Sequence, residues 1–235
     1  MALQDSTLQE LKDLTFALIG REYTDTSASY KRINSLWNYA AKKAYKATNY
    51  WERYLVIGDE RTVSNKNQVP RIQSGSDTID TYLRIYQKNP QEKRGGEYRF
   101  VVNNSGATIT GNAGLLTSDL YEDPDGSGFY VQPDSSEDDS SVFVTYKKNL
   151  DVDLATTDSP STTKVPDEFM PYMAHLTAYT WQRSVDQNSD ENNFTISMGL
   201  VTSILEDELA KIDDQGLSNS YIVKNIRTNY NQLII

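Results

Sequence analysis

The sequence contains no cysteine, which excludes a disulfide framework, a thiolate nucleophile and a thiolate metal site. It has one histidine, His175, and a Ser-His-Asp mechanism would have to use it. No Gly-x-Ser-x-Gly motif accompanies it, so a structural histidine carried on a helix is the expectation. No stretch approaches the roughly 18 consecutive apolar residues that a membrane span needs, and no membrane partner is expected. The segment 1–11 also lacks a basic region followed by an apolar run. No secretory signal is read there, and cytoplasmic synthesis is the simplest expectation.

What is present fits a globular chain of 235 residues, 37% hydrophobic and 24% charged, long enough for one large domain or two small ones. The net charge of −10 opposes binding to a phosphate backbone, which depends on Lys and Arg displacing counterions. That charge is unevenly spread. Residues 119–139 carry only acids: Asp119, Glu122, Asp123, Asp125, Asp134, Glu137, Asp138 and Asp139. Residues 217–235 carry Lys224 and Arg227 and no acid. Two surfaces with different neighbours are implied.

Ser6 and Thr7 followed by Gln9 and Glu10 have the form of a capping box, and Leu8, Leu11, Phe16, Leu18 and Ile19 supply an apolar stripe. A helix over 6–20 is predicted, closed by Gly20. Over 27–56, Tyr30, Ile33, Trp37, Ala40, Ala41, Ala44, Trp51 and Leu55 fall on one side and Lys42, Lys43 and Lys46 on another, which predicts a long amphipathic helix. From Gly58 the pattern changes. Eight of the twelve glycines lie between Gly75 and Gly128, and the apolar period shortens to two. Strands are predicted at 79–86, 97–103, 107–110, 128–132 and 142–147, separated by turn-forming pieces such as Asp123-Pro124-Asp125-Gly126.

Asp151 to Thr163 reads as a polar connector. Pro171 interrupts the helical pattern that Pro166 opens, so a short turn at 166–170 and a helix over 171–188 are expected. Ser189 and Asp190 are candidate caps for a fourth helix, in which Phe194, Met198, Val201, Leu205, Leu209 and Ile212 recur at threes and fours and Gly216 closes the end. The fold class is therefore α+β: a bundle of about four helices with an inserted antiparallel β unit and an extended C-terminal tail. The divisions fall at 1–57, 58–155, 156–216 and 217–235.

No catalytic, cofactor-binding or metal site is expected. Asp123 to Gly128 has a faint likeness to a calcium loop, but its glycine comes too early and the bidentate glutamate is missing. An acidic surface turn is the better reading. Carboxylate pairs for glycoside cleavage can be chosen almost at will from 119–139 and so carry no weight. Lys42, Lys43 and Lys46 read as a solvated helix face, and Trp37 and Trp51 as core or subunit-contact residues.

Two helices, a glycine-rich β segment ending in Val142-Phe143-Val144-Thr145-Tyr146, a connector closing on Val165-Pro166-Asp167-Glu168-Phe169, two more helices and an apolar tail follow one another in this chain. This order resembles the head-to-tail adaptor, or connector, proteins of tailed bacteriophages, in particular those of short-tailed phages. The resemblance implies a non-enzymatic virion protein at the head-tail junction, present as a homo-oligomeric ring, typically of twelve copies, and made in the host cytoplasm. Its implied partners are the portal protein above and tail nozzle or tube proteins below, with DNA only in passage. It also implies that Tyr221, Ile222, Val223, Ile226, Tyr230, Leu233, Ile234 and Ile235 dock on the portal, while the acids of 119–139 face the tail or the lumen.

Three alternatives stay open. One is another neck or tail component, such as a head-completion or tail-terminator protein. A second is a carbohydrate-binding or hydrolytic module in the β segment, for which Tyr121 and Tyr130 are the residues to mutate. The third is a cytoplasmic regulatory bundle.

Overall fold

The computed structural model describes residues 4–20, 29–63, 68–86, 89, 99–100, 119–122, 128–131, 141–184 and 196–214. The tail at 217–235, the predicted strand at 107–110 and most of the acidic stretch lie outside the described residues. The elements in chain order are β1 (Asp5–Thr7), α1 (Leu8–Ile19), α2 (Ser29–Ala47), β2 (Leu55–Thr62), β3 (Gln68–Pro70), β4 (Ile79–Tyr86), β5 (Arg99–Phe100), β6 (Asp119–Glu122), β7 (Gly128–Val131), β8 (Ser141–Lys148), β9 (Lys164–Pro166), α3 (Met170–Ser184) and α4 (Met198–Asp214). The chain is α+β. It divides into two compact units, one combining 1–53 with 150–235 and the other formed by 54–149.

In the first unit α3 is the central helix, packed against α1, α2 and α4. It buries residues around most of its circumference, among them Tyr172, Met173, Leu176, Ala178 and Trp181, as a helix enclosed by others must. From α2 the core receives Ile33, Trp37, Ala40, Ala41 and Ala44, and from α1 Leu8 and Leu11. The three alanines let a neighbouring backbone approach closely, whereas Trp37 fills volume and spends its N–H on Thr15 Oγ1 at 3.0 Å.

The N-terminus of α1 is held by a complete capping box. Thr7 Oγ1 accepts from the Glu10 amide at 3.2 Å, and Glu10 Oε2 accepts from the Thr7 amide at 2.6 Å. That backbone hydrogen bond, helped by the Thr7 hydroxyl, holds the Glu10 carboxyl below its ordinary value. At the other end Gly20 adopts φ 72°, the left-handed cap that glycine takes without strain. Ser6 and Thr7, predicted as the helix start, instead join Asp5 in a strand that pairs antiparallel with 164–166. Arg53 braces this pair: Nη1 lies 2.8 Å from Asp5 Oδ1 and Nε 2.9 Å from Glu168 Oε1. Partial burial works against the Arg53 charge, but the two carboxylates outweigh it and raise its pKa.

The long helix predicted over 27–56 is shorter. It stops at Ala47, where Thr48 Oγ1 accepts from the Tyr50 amide at 3.1 Å and Trp51 Nε1 donates to the Ala44 carbonyl at 2.9 Å, so side chains satisfy groups that a further turn would have used. Trp51 is buried edge-on to Phe169, ring centres 5.0 Å apart, and Leu55 belongs to β2. The connector 151–163 is tied down rather than loose: the amides of Leu8 and Gln9 donate to the carbonyls of Thr163 and Pro160, both at 2.9 Å. Val152 and Leu154 are buried, and Asn38 both donates to the Leu154 carbonyl and accepts from its amide.

The turn expected before α3 is present. The helix starts at Met170, so Pro171 sits in the first turn, where the missing N–H costs nothing. Helix α4 starts at Met198 with the Ser197 hydroxyl accepting from the Leu200 amide at 3.2 Å; Ser197 is its cap, and Phe194 precedes it. Ser189, Asp190 and Gly216 lie outside the described residues.

The second unit carries two sheets. One has the order β2-β8-β4, antiparallel throughout, and the other the order β3-β7-β6-β5, in which only the two-residue β5-β6 pair is parallel. Val142, Val144 and Tyr146 alternate along β8 into a cluster with Val69, Ile79, Tyr82 and Ile85. The β2-β8 register shifts between Val56 and Asp59, and Gly58 takes φ 66° at that bulge. Where the sequence marked glycine punctuation, β2 itself begins three residues earlier. At the end of the β2-β8 pair, the amide of Lys148, the last residue of β8, donates to the Tyr54 carbonyl at 2.8 Å, so the chain enters and leaves this unit at one point. No helix among the described residues is long and apolar enough to cross a membrane.

Candidate functional site

Helix α2 presents opposite faces for a reason legible in its sequence. Trp37, Ala40, Ala41 and Ala44 turn inward, which leaves Tyr39, Lys42, Lys43 and Lys46 outward. Helix α4 covers this side of the unit only in part. Of its apolar stripe Val201 and Ile212 are buried, Leu205 and Leu209 are half-buried, and Met198 is exposed. Between the two helices, floored by Tyr172 of α3, lies a groove of about 510 Å³.

Tyr39, Tyr172, Leu205 and Leu209 give the groove an apolar lining, and Lys42, Lys43 and Lys46 stand on its α2 side. Lys43 Nζ sits 5.1 Å from the centre of the Tyr39 ring, within the range of a cation–π contact. Glu206 is the acid in the lining. Tyr39 is 49% exposed, a large aromatic surface left in water beside three cations. Burial, with the Tyr39 hydroxyl beside it, pushes the Tyr172 hydroxyl up to about 12, so it stays neutral and donates rather than ionises at ordinary pH. A groove so built can take an apolar segment bearing carboxylates.

A second concentration of polar groups sits in the β unit. Arg61 is fully buried. Its Nη2 donates to the Asp77 carbonyl at 2.5 Å and to the Tyr146 hydroxyl at 2.7 Å, while Nε lies 2.7 Å from Asp59 Oδ2. The Nε contact is an ion pair off the N–H direction, and Nη1 has no hydrogen-bond partner among the described residues. Tyr146 in turn donates to Asp59 Oδ2 at 3.1 Å, and burial raises its hydroxyl to about 12 although Arg61 pulls the other way. The guanidinium lies 4.8 Å from the Tyr146 ring centre. This cluster ties β2, β8 and the loop before β4 into one body, and its role is structural.

His175 Nδ1 lies 2.8 Å from the Pro171 carbonyl one turn earlier, a local helix contact without a carboxylate or hydroxyl nucleophile beside it among the hydrogen bonds of the described residues. Of the site residues predicted from sequence, few are among the described residues. Asp119 and Glu122 belong to β6, while Asp123, Asp125, Asp134, Glu137, Asp138 and Asp139 lie outside the described residues, as do Tyr221, Ile222, Val223, Ile226, Tyr230, Leu233, Ile234 and Ile235. Tyr121 and Tyr130, named for the carbohydrate alternative, are opposite each other in the β6-β7 pair. The groove itself was missed from sequence: its lysines read as a solvated face and its leucines as core. The signal that could have found it is the coincidence of Tyr39 with Lys43 one turn on, an aromatic on the polar face. No protein-family model matches the chain, and no curated protein matches it.

Proposed function

We propose that the chain is a non-enzymatic virion protein of a tailed bacteriophage, one subunit of a ring that joins the portal vertex to the tail and continues the DNA channel. In this reading the first unit is the helical bundle that packs around the ring, the β unit at 54–149 is an insertion directed at the tail, and residues 217–235 anchor on the portal. The observation that carries it is the interruption of the helical unit at a single point, where Tyr54 and Lys148 are hydrogen-bonded. A β unit whose first and last residues lie side by side can serve a different neighbour from the helices. The tail adds support: an apolar stretch without acids gains only on burial, and many copies tethered to one ring bind at high effective concentration.

Co-assembly with portal rings from the same source tests this. Full-length protein is expected to add a ring to the portal in sedimentation and negative-stain images, and a chain ending at Gly216 is expected to fail. Binding by neither form overturns the adaptor reading. Equal binding by both removes the anchor role from the tail and favours another neck component.

A further inference from the structure

The groove between α2 and α4 lacks an occupant among the described residues, and its chemistry asks for one with exposed carboxylates and apolar side chains. Three ammonium groups within five residues of α2 repel one another, and Glu206 opposes only part of that charge. Tyr39, Leu205 and Leu209 beside them gain from leaving water. The chain itself holds a segment of the complementary kind. Strands β6 and β7 pair antiparallel, with Glu122 opposite Phe129, so they form a hairpin whose connection is Asp123-Pro124-Asp125-Gly126-Ser127. From Glu122 to Phe129 the sequence carries Glu122, Asp123 and Asp125 and no basic residue.

We propose that this groove is the docking site for the β6-β7 hairpin end of a second copy of the chain. The inference rests on the homo-oligomeric part of the ring reading and gives it a specific contact. At a net charge of −10 two copies repel at long range, so self-association requires a place where acid meets base. Lys42, Lys43 and Lys46 beside the apolar groove, facing an acid-only hairpin end, provide it. Such a contact is heterologous: groove and hairpin are different surfaces, and each copy keeps one of each free for the next. That arrangement closes into a ring when the rotation per copy divides a full turn.

Purified full-length chain, half of it labelled with nitrogen-15, can be treated with a carbodiimide, which joins amine to carboxylate without a spacer. Mass spectrometry is expected to find Lys42, Lys43 or Lys46 joined to Glu122, Asp123 or Asp125 in mixed-isotope pairs. Links confined to same-isotope pairs would place the hairpin in its own chain's groove and overturn the proposal. Links from these lysines to other carboxylates would overturn it as well.

Charge reversal supplies the second arm. K42E/K43E/K46E alone and D123K/D125K alone are each expected to weaken self-association at least tenfold in sedimentation equilibrium, with circular dichroism unchanged. Mixed together, the reversed groove and the reversed hairpin should associate again. A mixture that stays as weak as its components sinks the pairing. No portal is present in either arm, so failure here leaves portal attachment to its own test, and failure to bind portal leaves this contact standing.

Discussion

At the scale of single residues, the β unit depends most on Arg61, a charge with no access to solvent. Removing it leaves the Asp59 carboxylate and the Tyr146 hydroxyl without their partner and opens space against the Tyr146 ring. Arg61→Ala is therefore expected to destabilise the unit by about 3 kcal/mol, the low end for a broken buried pair because Asp59 keeps partial contact with water. Urea unfolding followed by tyrosine fluorescence reads this directly. Arg61→Lys should recover little, since one ammonium cannot reach the Asp77 carbonyl, Tyr146 and Asp59 from a single stem. Nothing in the sequence marked Arg61 out. In a strand reading Leu-Val-Ile-Gly-Asp-Glu-Arg-Thr an arginine passes for a solvent-facing residue, and only the bulge at Gly58 changes which side of β2 faces inward. Trp37 and Trp51, by contrast, were legible as core residues because large aromatics at helical spacing have few other places to go.

At the scale of elements, the caps of α1 and the helical periods were legible and short long-range strands were not. Thr7 and Glu10 announced the start of α1 from sequence, and the box they form can be tested. Thr7→Ala is expected to cost about 1 kcal/mol near neutral pH, measured by thermal or urea unfolding. The Glu10 part of the box has its own pH signature. Its folded-state pKa is lowered from 4.5, so its contribution is present above that value and is lost as pH falls through the lowered one. The difference between wild type and a Glu10→Ala variant should accordingly shrink in acid; a constant difference would mean the carboxylate is not engaged. Strands β1 and β9 escaped because their partner residues stand far apart in the chain, Ser6 opposite Val165, and three-residue strands carry no period of their own. The end of α2 escaped for a different reason. Trp51 fits the helical stripe in register, yet its indole reaches back to cap the helix that the stripe seemed to extend.

At the scale of the whole molecule, helices, strands and helices follow one another in the expected order, and the shift from period 3.6 to period 2 near Gly58 is gradual in the sequence while the Tyr54–Lys148 hydrogen bond is not. The stretch 141–184 holds both β8, the middle strand of its sheet, and α3, the central helix. If the helices need nothing from 54–149 beyond a covalent connection, replacing it by a short glycine linker should leave a protein whose helical circular dichroism and cooperative melting persist. Loss of both would show that the helices need the β unit to fold. The Tyr54–Lys148 contact also bears on the order of events as the chain folds. Helix α3 has to find α1 and α2 across the whole of 54–149, and the entropy of closing so long a loop opposes that search. Once β2 and β8 zip together, the loop shrinks to the width of one hydrogen bond, and the contacts of α3 become local in effect. The β unit would then act as an early clasp that brings the two halves of the helical unit within reach, a kinetic service separate from anything it binds.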